Sequence, residues 1–411
     1  MNLKVIKYTY LFLFLTSFIF TGCGVQEKTI ADLIIDNPNP IDNQIPADKQ
    51  LILAVEKTPE YLSLLKNKRV GVVTNQTGQI KNQHLVDFLL SKGIQITTIF
   101  SPEHGFRGEA DAGEKVKDGK DPKTGLPIIS LYGKNRKPTT SQLINIDVLL
   151  FDIQDVGVRF YTYISTLHYV MEAAAEQNKK IIVLDRPNPN AHYIDGPILE
   201  KEYKSFIGMH PVPVVYGMTI GEYAKMINGE KWLEKGLVAD LHVIKIDHYT
   251  HQMPYELPIQ PSPNLPNAQS ISLYPSLCFF EGTTVSVGRG TDFPFQVYGA
   301  PYLKGDFQFI PNPNQGAKQP KNQGEVNYGT DLRNYPKLNR LNLSWLIEAR
   351  EQNRPLSDTF WLKNNFINLL AGTKKLRQQI DQGMNEDQIR ATWQPDLDQF
   401  KKIRKKYLLY P

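Results

Sequence analysis

Short apolar runs alternate with helical patterns between about residues 50 and 250, and this alternation limits the possible folds more than any other feature of the chain. Buried strands are predicted at 70–74, 94–100, 148–152, 180–185 and 241–246. Helices are predicted at 85–92, 166–179 and 219–233, the last with Thr219 and Glu222 at the spacing of a capping box. Apolar strands separated by helices are typical of a mostly parallel sheet with helices on both faces. The sequence therefore predicts an α/β domain.

The pattern changes after about residue 255. A proline-rich segment, 258–266, is followed by β-branched and aromatic runs, among them a predicted buried strand at 277–280 that contains Cys278. Helical patterns return at 343–352, 358–370 and 385–408. Because the chain exceeds the usual size of a single core, we expect an α/β domain at 49–255 and a smaller α+β domain at 256–411.

The first 23 residues have the features of an export signal. Lys4 and Lys7 precede an apolar stretch, 8–20, and Phe20-Thr-Gly-Cys23 resembles a bacterial lipoprotein cleavage box. We expect lipidation of Cys23, a flexible tether at 24–48, and a membrane-anchored protein in the periplasm or at the cell surface. A plain secretion signal or an N-terminal anchor is the alternative. The net charge of +5 has no basic stripe with interleaved aromatics, so no nucleic-acid partner is expected.

A loop rich in chemically active side chains follows the predicted strand 94–100. It places Glu103, His104 and Arg107 among glycine and proline residues. Ligands usually bind at the carboxyl ends of strands in open α/β sheets, and partial burial there suits a carboxyl group to general acid catalysis. Glu103 is therefore the first candidate for acid/base catalysis, with His104 and Arg107 as substrate-binding residues. The alternative is a loop glutamate paired with Arg107.

A second polar loop follows the strand 148–152. Asp155 could activate water or stabilise a cation, while Asp152, Arg159 and Tyr161 could bind a carboxylate or sugar hydroxyls. An Asp–Arg pair that only stiffens the loop is the alternative. His104 with Asp152 and Asp155 could also hold a metal, but no spacing such as HExxH supports that site. We therefore expect no metal.

Further candidates lie on the next helix and on two later loops. Glu172 shares a helix face with His168 and Glu176, where a solvated polar face is the alternative to catalysis. The later loops add six predicted substrate-binding residues, which are Asp185, Arg186, Asn188, Glu281, Arg289 and Asp292. Arg289 stands between two glycines, where a guanidinium could grip a carboxylate with two hydrogen bonds. No GxGxxG motif is present, so no dinucleotide or other cofactor is expected.

Six segments of the chain, in this order, resemble a known family of proteins. They read SPEHGFRGEADAGE, FDIQDVGVRFYTY, LDRPNPN, GMTIGEYA, PSPNLPN and EGTTVSVGRGTD. The family was once catalogued as a domain of unknown function and is now associated with exo-β-N-acetylmuramidases. The resemblance extends from Arg69 to Tyr410 and implies a Rossmann-like domain, a smaller C-terminal domain and an active-site cleft between them.

The resemblance also implies an activity and a pair of catalytic glutamates. The activity is hydrolysis of the β-1,4 bond between a non-reducing terminal N-acetylmuramic acid and N-acetylglucosamine in peptidoglycan fragments. Glu103 matches the first glutamate; for the second, Glu172 is favoured and Asp155 is the alternative. Arg289, Arg159 or Arg186 would bind the lactyl carboxylate of the sugar. Two other hypotheses are a glycan-binding surface lipoprotein without activity and a metal-dependent amidase or esterase.

Overall fold

The computed structural model describes residues 50–107, 117–354 and 359–411. The predicted signal peptide, the lipidated Cys23 and the tether at 24–48 lie outside the described residues, as do residues 108–114 of the first motif, and all of them stay predictions. No helix within the described ranges is long and apolar enough to cross a membrane.

A seven-stranded sheet forms the centre of the fold. Its strands in chain order are β1 (Arg69–Thr74), β4 (Gln95–Ser101), β5 (Gly119–Lys120), β6 (Pro127–Ser130), β7 (Val148–Asp152), β8 (Lys180–Leu184) and β9 (Asp240–Ile244). Their spatial order is β5-β6-β4-β1-β7-β8-β9, and every neighbouring pair is parallel except β5 and β6. The mostly parallel sheet and all five predicted strands are confirmed.

Five helices lie beside this sheet in the described part of the chain, and a side chain caps the first turn of three of them. They are α1 (Thr58–Leu65), α2 (Leu85–Ser91), α3 (Thr140–Leu143), α4 (Tyr163–Glu176) and α5 (Ile220–Gly229), and a small hairpin of β2 (Gln79–Ile80) and β3 (Gln83–His84) precedes α2. The predicted capping box of α5 is present: the Glu222 amide donates to Thr219 Oγ1 at 3.2 Å, and the Thr219 amide donates to Glu222 Oε2 at 2.9 Å. α4 begins three residues earlier than predicted.

The C-terminal part has its own smaller sheet and five helices among the described residues. The sheet has the order β10 (Val297–Ala300), β12 (Asn327–Asp331), β11 (Phe307–Phe309) and is antiparallel. The helices are α6 (Ala268–Leu277), α7 (Ser344–Asn353), α8 (Phe366–Ala371), α9 (Lys375–Asp381) and α10 (Glu386–Arg404). The separate C-terminal sheet and helices agree with the predicted α+β part.

The predicted strand at 277–280 is wrong. This segment is the end of α6 and a 3₁₀ turn at Cys278–Gly282. The Asn267 side chain accepts a hydrogen bond from the Ser270 amide and so begins a helix that extends to Leu277, and the aromatic residues that favoured a strand, Phe279 and Phe280, lie in the turn that follows it. Cys278 is buried, as expected.

One hydrophobic core joins the sheet to the C-terminal part. Phe151 of β7 and Phe279 of the 3₁₀ turn belong to the same buried cluster. A second cluster, which includes Leu85 and Leu150, covers the opposite face of the sheet. The shared core fixes the C-terminal part against the edge where the parallel strands end. The predicted boundary near residue 255 stays a prediction.

Candidate active site

A cavity of about 360 Å³ lies at the carboxyl edge of the sheet. The loop after β4 contributes Glu103 and His104, and Tyr132 follows β6. The other lining residues are Phe160, Tyr161, Thr162, Ile207, Ser262, Asn264, Leu265, Tyr274, Cys278, Glu281, Arg289, Phe295, Phe366 and Leu370. The cavity therefore joins residues from both parts of the chain at the edge where open α/β sheets usually bind ligands.

A tight turn presents Glu103 and His104 to this cavity. The Gly105 amide donates to the Pro102 carbonyl at 3.0 Å, and both His104 (φ 69°) and Gly105 (φ 78°) have left-handed backbone conformations. Such a conformation costs a non-glycine residue about 1 kcal/mol or more, and it is found mostly where the surrounding structure imposes it. The turn thus fixes the direction of both side chains.

The Glu103 carboxylate is held by hydroxyl groups. Thr162 Oγ1 donates to Glu103 Oε2 at 2.6 Å. The Tyr132 hydroxyl lies beside the same carboxylate, and burial together with the Glu103 charge raises the pKa of Tyr132. These contacts fix the carboxyl group at the cavity wall, where it can give and take a proton.

The proline-rich segment is fastened across the sheet edge through one carbonyl. The hydroxyls of Tyr161 and Tyr163 donate to the Pro261 carbonyl at 2.9 and 3.1 Å, and Gln76 Nε2 donates to it at 3.1 Å. These bonds bring Ser262 and the residues that follow it to the cavity wall. Tyr161 lines the cavity with its hydroxyl already engaged, so its ring rather than its hydroxyl faces the ligand space.

Glu281 and Arg289 form an ion pair in the wall from the C-terminal part. Arg289 Nε lies 3.3 Å from Glu281 Oε2, and the guanidinium carbon lies 4.9 Å from the centre of the Phe295 ring. Within the described part of the chain these are the contacts of the guanidinium, and its two outer nitrogens have no hydrogen-bond partner there. Arg289 is thus an arginine with donors left for a ligand.

Lys321 adds a second positive charge close to Glu281. Its Nζ donates to the carbonyls of Phe280, Thr283 and Val285 at 2.9, 2.7 and 3.0 Å. Burial by itself raises the pKa of Glu281, but the charges of Arg289 and Lys321 outweigh it and lower this pKa below its ordinary value. Glu281 is therefore ionised at neutral pH.

Four residues predicted to bind substrate have structural partners instead. Arg186 forms a buried two-bond ion pair with Asp152, with distances of 2.5 Å from Nε and 2.9 Å from Nη2. Asp185 accepts hydrogen bonds from the hydroxyls of Thr219 and Tyr410 and from the Gly221 amide, while Asn188 Nδ2 donates to the Met218 carbonyl. None of these four residues lines the 360 Å³ cavity in the described part of the chain, and Arg186 lines a separate cavity of about 280 Å³.

Arg159, the fifth residue of this kind, is completely buried. Its Nη1 donates to the carbonyls of Pro197 and Val212, and its Nη2 donates to those of Leu370 and Ala371, at 2.6–3.0 Å. Burial lowers the pKa of Arg159 to about 9. Arg159 is not among the residues that line the cavity, and this position argues against the predicted contact with a lactyl carboxylate. It joins its own loop to the segments at Pro197 and Val212 and to the end of α8.

Glu172, the favoured second catalytic residue, does not line the cavity. It lies ten residues along α4 from Thr162, about 15 Å at 1.5 Å per residue. Its carboxylate is bonded to Lys137 Nζ at 3.0 Å and to the Glu234 amide at 2.8 Å. The hydrogen bond from His168 is the largest of several contacts that lower the pKa of Glu172 to about 2. The polar face that the sequence predicted on α4 is therefore a set of side chains that bind one another, Lys137 and the Glu234 amide.

Asp155, the alternative, is buried beneath the loop and also does not line the cavity. Its Oδ2 accepts hydrogen bonds from the Tyr216 hydroxyl and, at 2.7 Å, from the Gly157 amide. Burial raises the pKa of Asp155 to about 6. Among the described cavity-lining residues the carboxyl groups are those of Glu103 and Glu281.

Two more predicted binding residues also lie outside the described cavity wall. Arg107 pairs with Asp121 at 2.6 Å and covers the Phe106 ring at 4.5 Å, and Asp292 is exposed. Sequence reasoning missed Tyr132, Thr162 and Tyr274, which line the cavity as single polar or aromatic residues without a motif of their own.

His104, Asp152 and Asp155 do not come together as a metal site. Among the described residues, the His, Cys, Asp and Glu side chains close enough to share an ion are Glu172, Glu176 and Glu234. Lys137 Nζ already bonds two of these carboxylates. A different cavity of about 380 Å³, lined by Glu200, Trp393 and Asp396 among others, contains none of the predicted site residues.

Two family models cover nearly all of the described chain. The model described as Exo-beta-N-acetylmuramidase NamZ, N-terminal, matches residues 70–269, and its C-terminal counterpart matches residues 272–410. This chain belongs to the exo-β-N-acetylmuramidase NamZ family. The predicted family is therefore confirmed, and with it the prediction of a glycoside hydrolase.

Individual relatives agree with this family in sequence and in structure. The chain is 41% identical over 375 residues to the peptidoglycan β-N-acetylmuramidase NamZ of Bacillus subtilis, covering 86% of this chain and 89% of that protein. Two crystal structures of DUF1343 family proteins from Bacteroides fragilis match with TM-scores of 0.81 and 0.76 at 46% and 31% identity. Each match covers 88% of this chain and 99% of the other. The fold class predicted from the sequence is confirmed.

Proposed function

We propose that this protein is an exo-acting β-N-acetylmuramidase. It removes a non-reducing terminal N-acetylmuramic acid from peptidoglycan fragments by hydrolysing the β-1,4 bond to N-acetylglucosamine. The observation that carries the proposal is the cavity in which Glu103, Glu281 and Arg289 meet. The two glutamates fit the proposal because glycoside hydrolysis usually requires two carboxyl groups beside the scissile bond. Membership of the NamZ family supports it independently.

Glu103 is the general acid in this proposal. The turn at Pro102–Gly105 and the Thr162 hydroxyl fix its carboxyl group at the cavity wall. From there it protonates the glycosidic oxygen as the bond from C1 breaks, so N-acetylglucosamine leaves as a neutral alcohol. Positioned proton transfer of this kind contributes about 10²–10⁴-fold to a rate.

Arg289 recognises the lactyl group in this proposal. N-acetylmuramic acid differs from N-acetylglucosamine by this lactyl group, which carries a carboxylate. A guanidinium binds a carboxylate with strong, directional hydrogen bonds. Of the four arginines that the sequence suggested for the site, Arg289 lines the described cavity, whereas Arg159 and Arg186 do not line it and bind carbonyls and a carboxylate of the protein. The apolar walls around it reduce competition from water.

The test is hydrolysis of the disaccharide MurNAc-β-1,4-GlcNAc by the purified protein, with products separated by mass spectrometry. We expect free N-acetylmuramic acid, both with and without EDTA, and a loss of about 10²–10⁴-fold in kcat for Glu103→Gln at an unchanged melting temperature. Glu172→Gln is the matched control, because the same substitution outside the cavity should leave kcat within a factor of about two.

The same experiment separates the other hypotheses. Tight binding of intact disaccharide on prolonged incubation would contradict catalysis and favour a glycan-binding lipoprotein. Activity that disappears in EDTA and returns with a divalent metal would favour a metal-dependent amidase or esterase. Wild-type rates in Glu103→Gln would leave the hydrolase in place but remove Glu103 as the acid.

A further inference from the structure

We propose that Glu281 is the second catalytic carboxylate and acts on the face of C1 opposite the leaving oxygen. The proposal rests on the muramidase function proposed above and deepens it, because it assigns the reaction step that Glu103 cannot perform. Neither Glu172 nor Asp155, the residues that the sequence favoured for this step, lines the described cavity.

The two glutamates lie in the same cavity. Glu103 and Glu281 are the carboxyl groups in the described cavity wall; one follows β4 and the other lies in the 3₁₀ turn after α6. Tyr274, which also lines the cavity, feels the negative charge of Glu103 and the positive charge of Arg289. A cavity of about 360 Å³ is in the size range of small-molecule sites, so a bound sugar ring would lie within reach of both glutamates.

Glu281 also carries the charge that this role requires. It pairs with the Arg289 guanidinium at 3.3 Å and lies near the Lys321 ammonium, so it stays ionised. A glycoside hydrolase divides the roles of acid and of base or nucleophile between its two carboxyl groups. The ionised group is the one suited to attack or to activate water.

The turn that carries Glu281 is held firmly by its surroundings. The Lys321 ammonium donates to three carbonyls on both sides of Glu281. A Cβ atom on Gly282 would lie 2.7 Å from the backbone nitrogen of Ile367, so this turn packs directly on α8, and the Leu362 amide donates to the Gly282 carbonyl at 3.0 Å. Catalytic groups need such support to hold their geometry.

The chemical step balances in either stereochemical course. The C1–O bond breaks, its electron pair stays on the leaving oxygen, and the Glu103 proton neutralises that oxygen. Glu281 then either accepts a proton from the water whose oxygen bonds to C1, or bonds to C1 itself. In the second case, water later displaces Glu281 while Glu103 removes the proton from this water.

The decisive experiment is chemical rescue of Glu281→Ala with azide, using MurNAc-β-1,4-GlcNAc as substrate. We expect kcat to fall by about 10²–10⁴-fold with little change in KM. Azide should restore turnover and give the α-configured 1-azide of N-acetylmuramic acid, because the anion enters the space left by the carboxylate while Glu103 still protonates the leaving group. Glu172→Ala is the matched control, with wild-type turnover and no azide product.

A purely structural role for Glu281 predicts different results. If Glu281 served only to orient Arg289, its removal would mainly raise KM, and azide would give no α-azide; either result in a folded variant overturns the proposal. Glu281→Gln preserves the shape of the side chain, so wild-type kcat in that variant also overturns it, even if the alanine variant does not fold. An inactive wild-type protein would instead overturn the muramidase function and this assignment together.

Discussion

Replacement of Arg289 by glutamine should change which sugar the enzyme selects more than it changes catalysis in general. The guanidinium contacts Glu281 and the Phe295 ring, and its outer nitrogens remain for a ligand. A hydrogen bond involving a charged group contributes about 1.5–3 kcal/mol. One lost bond to the lactyl carboxylate therefore lowers kcat/KM for a muramyl substrate by roughly 10- to 150-fold, at about 1.4 kcal/mol for each factor of ten.

The assay compares two chromogenic glycosides, 4-nitrophenyl β-MurNAc and 4-nitrophenyl β-GlcNAc, which differ only in the lactyl group. Any effect of Arg289→Gln that passes through Glu281 lowers both rates, so it cancels in the ratio of the two kcat/KM values. We expect the kcat/KM for the muramyl glycoside, divided by that for the glucosaminyl glycoside, to fall by roughly 10- to 150-fold. Arg333→Gln is the matched control, because Arg333 also joins a carboxylate, Asp331, to aromatic rings but lies outside the cavity lining. An unchanged ratio in Arg289→Gln would refute lactyl recognition by this residue.

Two further predictions concern residues that the structure removes from the site. Asp152→Asn leaves the buried Arg186 charge uncompensated and should lower the free energy of unfolding by about 3–5 kcal/mol, while Asp152→Leu combined with Arg186→Met should lower it less. Denaturant unfolding measures both changes. A rise in KM at unchanged stability would contradict the structural role. Asp155 has a folded-state pKa raised to about 6, above its unfolded value, so stability should fall by roughly 3 kcal/mol in all as pH rises from about 2 to about 8, with most of the fall between about 4 and about 6. Asp155→Asn should lack that fall, and an identical slope in urea unfolding would count against it.

The strands of the sheet could be predicted because buried parallel strands are continuous apolar runs, and α5 could be predicted because Thr219 and Glu222 are local to its first turn. The helix α6 could not. A proline and three serines weaken its helical pattern, and the Asn267 cap at its first turn is a single side chain among several prolines and asparagines.

The same distinction holds for the site. Glu103 could be found because it follows a strand on a stiff turn, and Arg289 because it stands between two glycines. Arg159 has a loop position that looks equally functional in sequence, yet both of its outer nitrogens donate to carbonyls, those of residues 197, 212, 370 and 371. Those partners are far away along the chain. No local sequence pattern therefore distinguishes a structural arginine such as Arg159 from a ligand-binding one.

The two proposed catalytic carboxyl groups come from different parts of the family pattern. Glu103 belongs to the segment matched by the N-terminal family model, and Glu281 and Arg289 belong to the C-terminal one. The Pro261 carbonyl, which accepts hydrogen bonds from Tyr161 and Tyr163, fixes the segment that leads from the sheet into α6 and the turn of Glu281. The acid is therefore set by the end of a strand, whereas its partner is set by packing between distant parts of the chain. On this reasoning, the integrity of the interface is as necessary for hydrolysis as either glutamate.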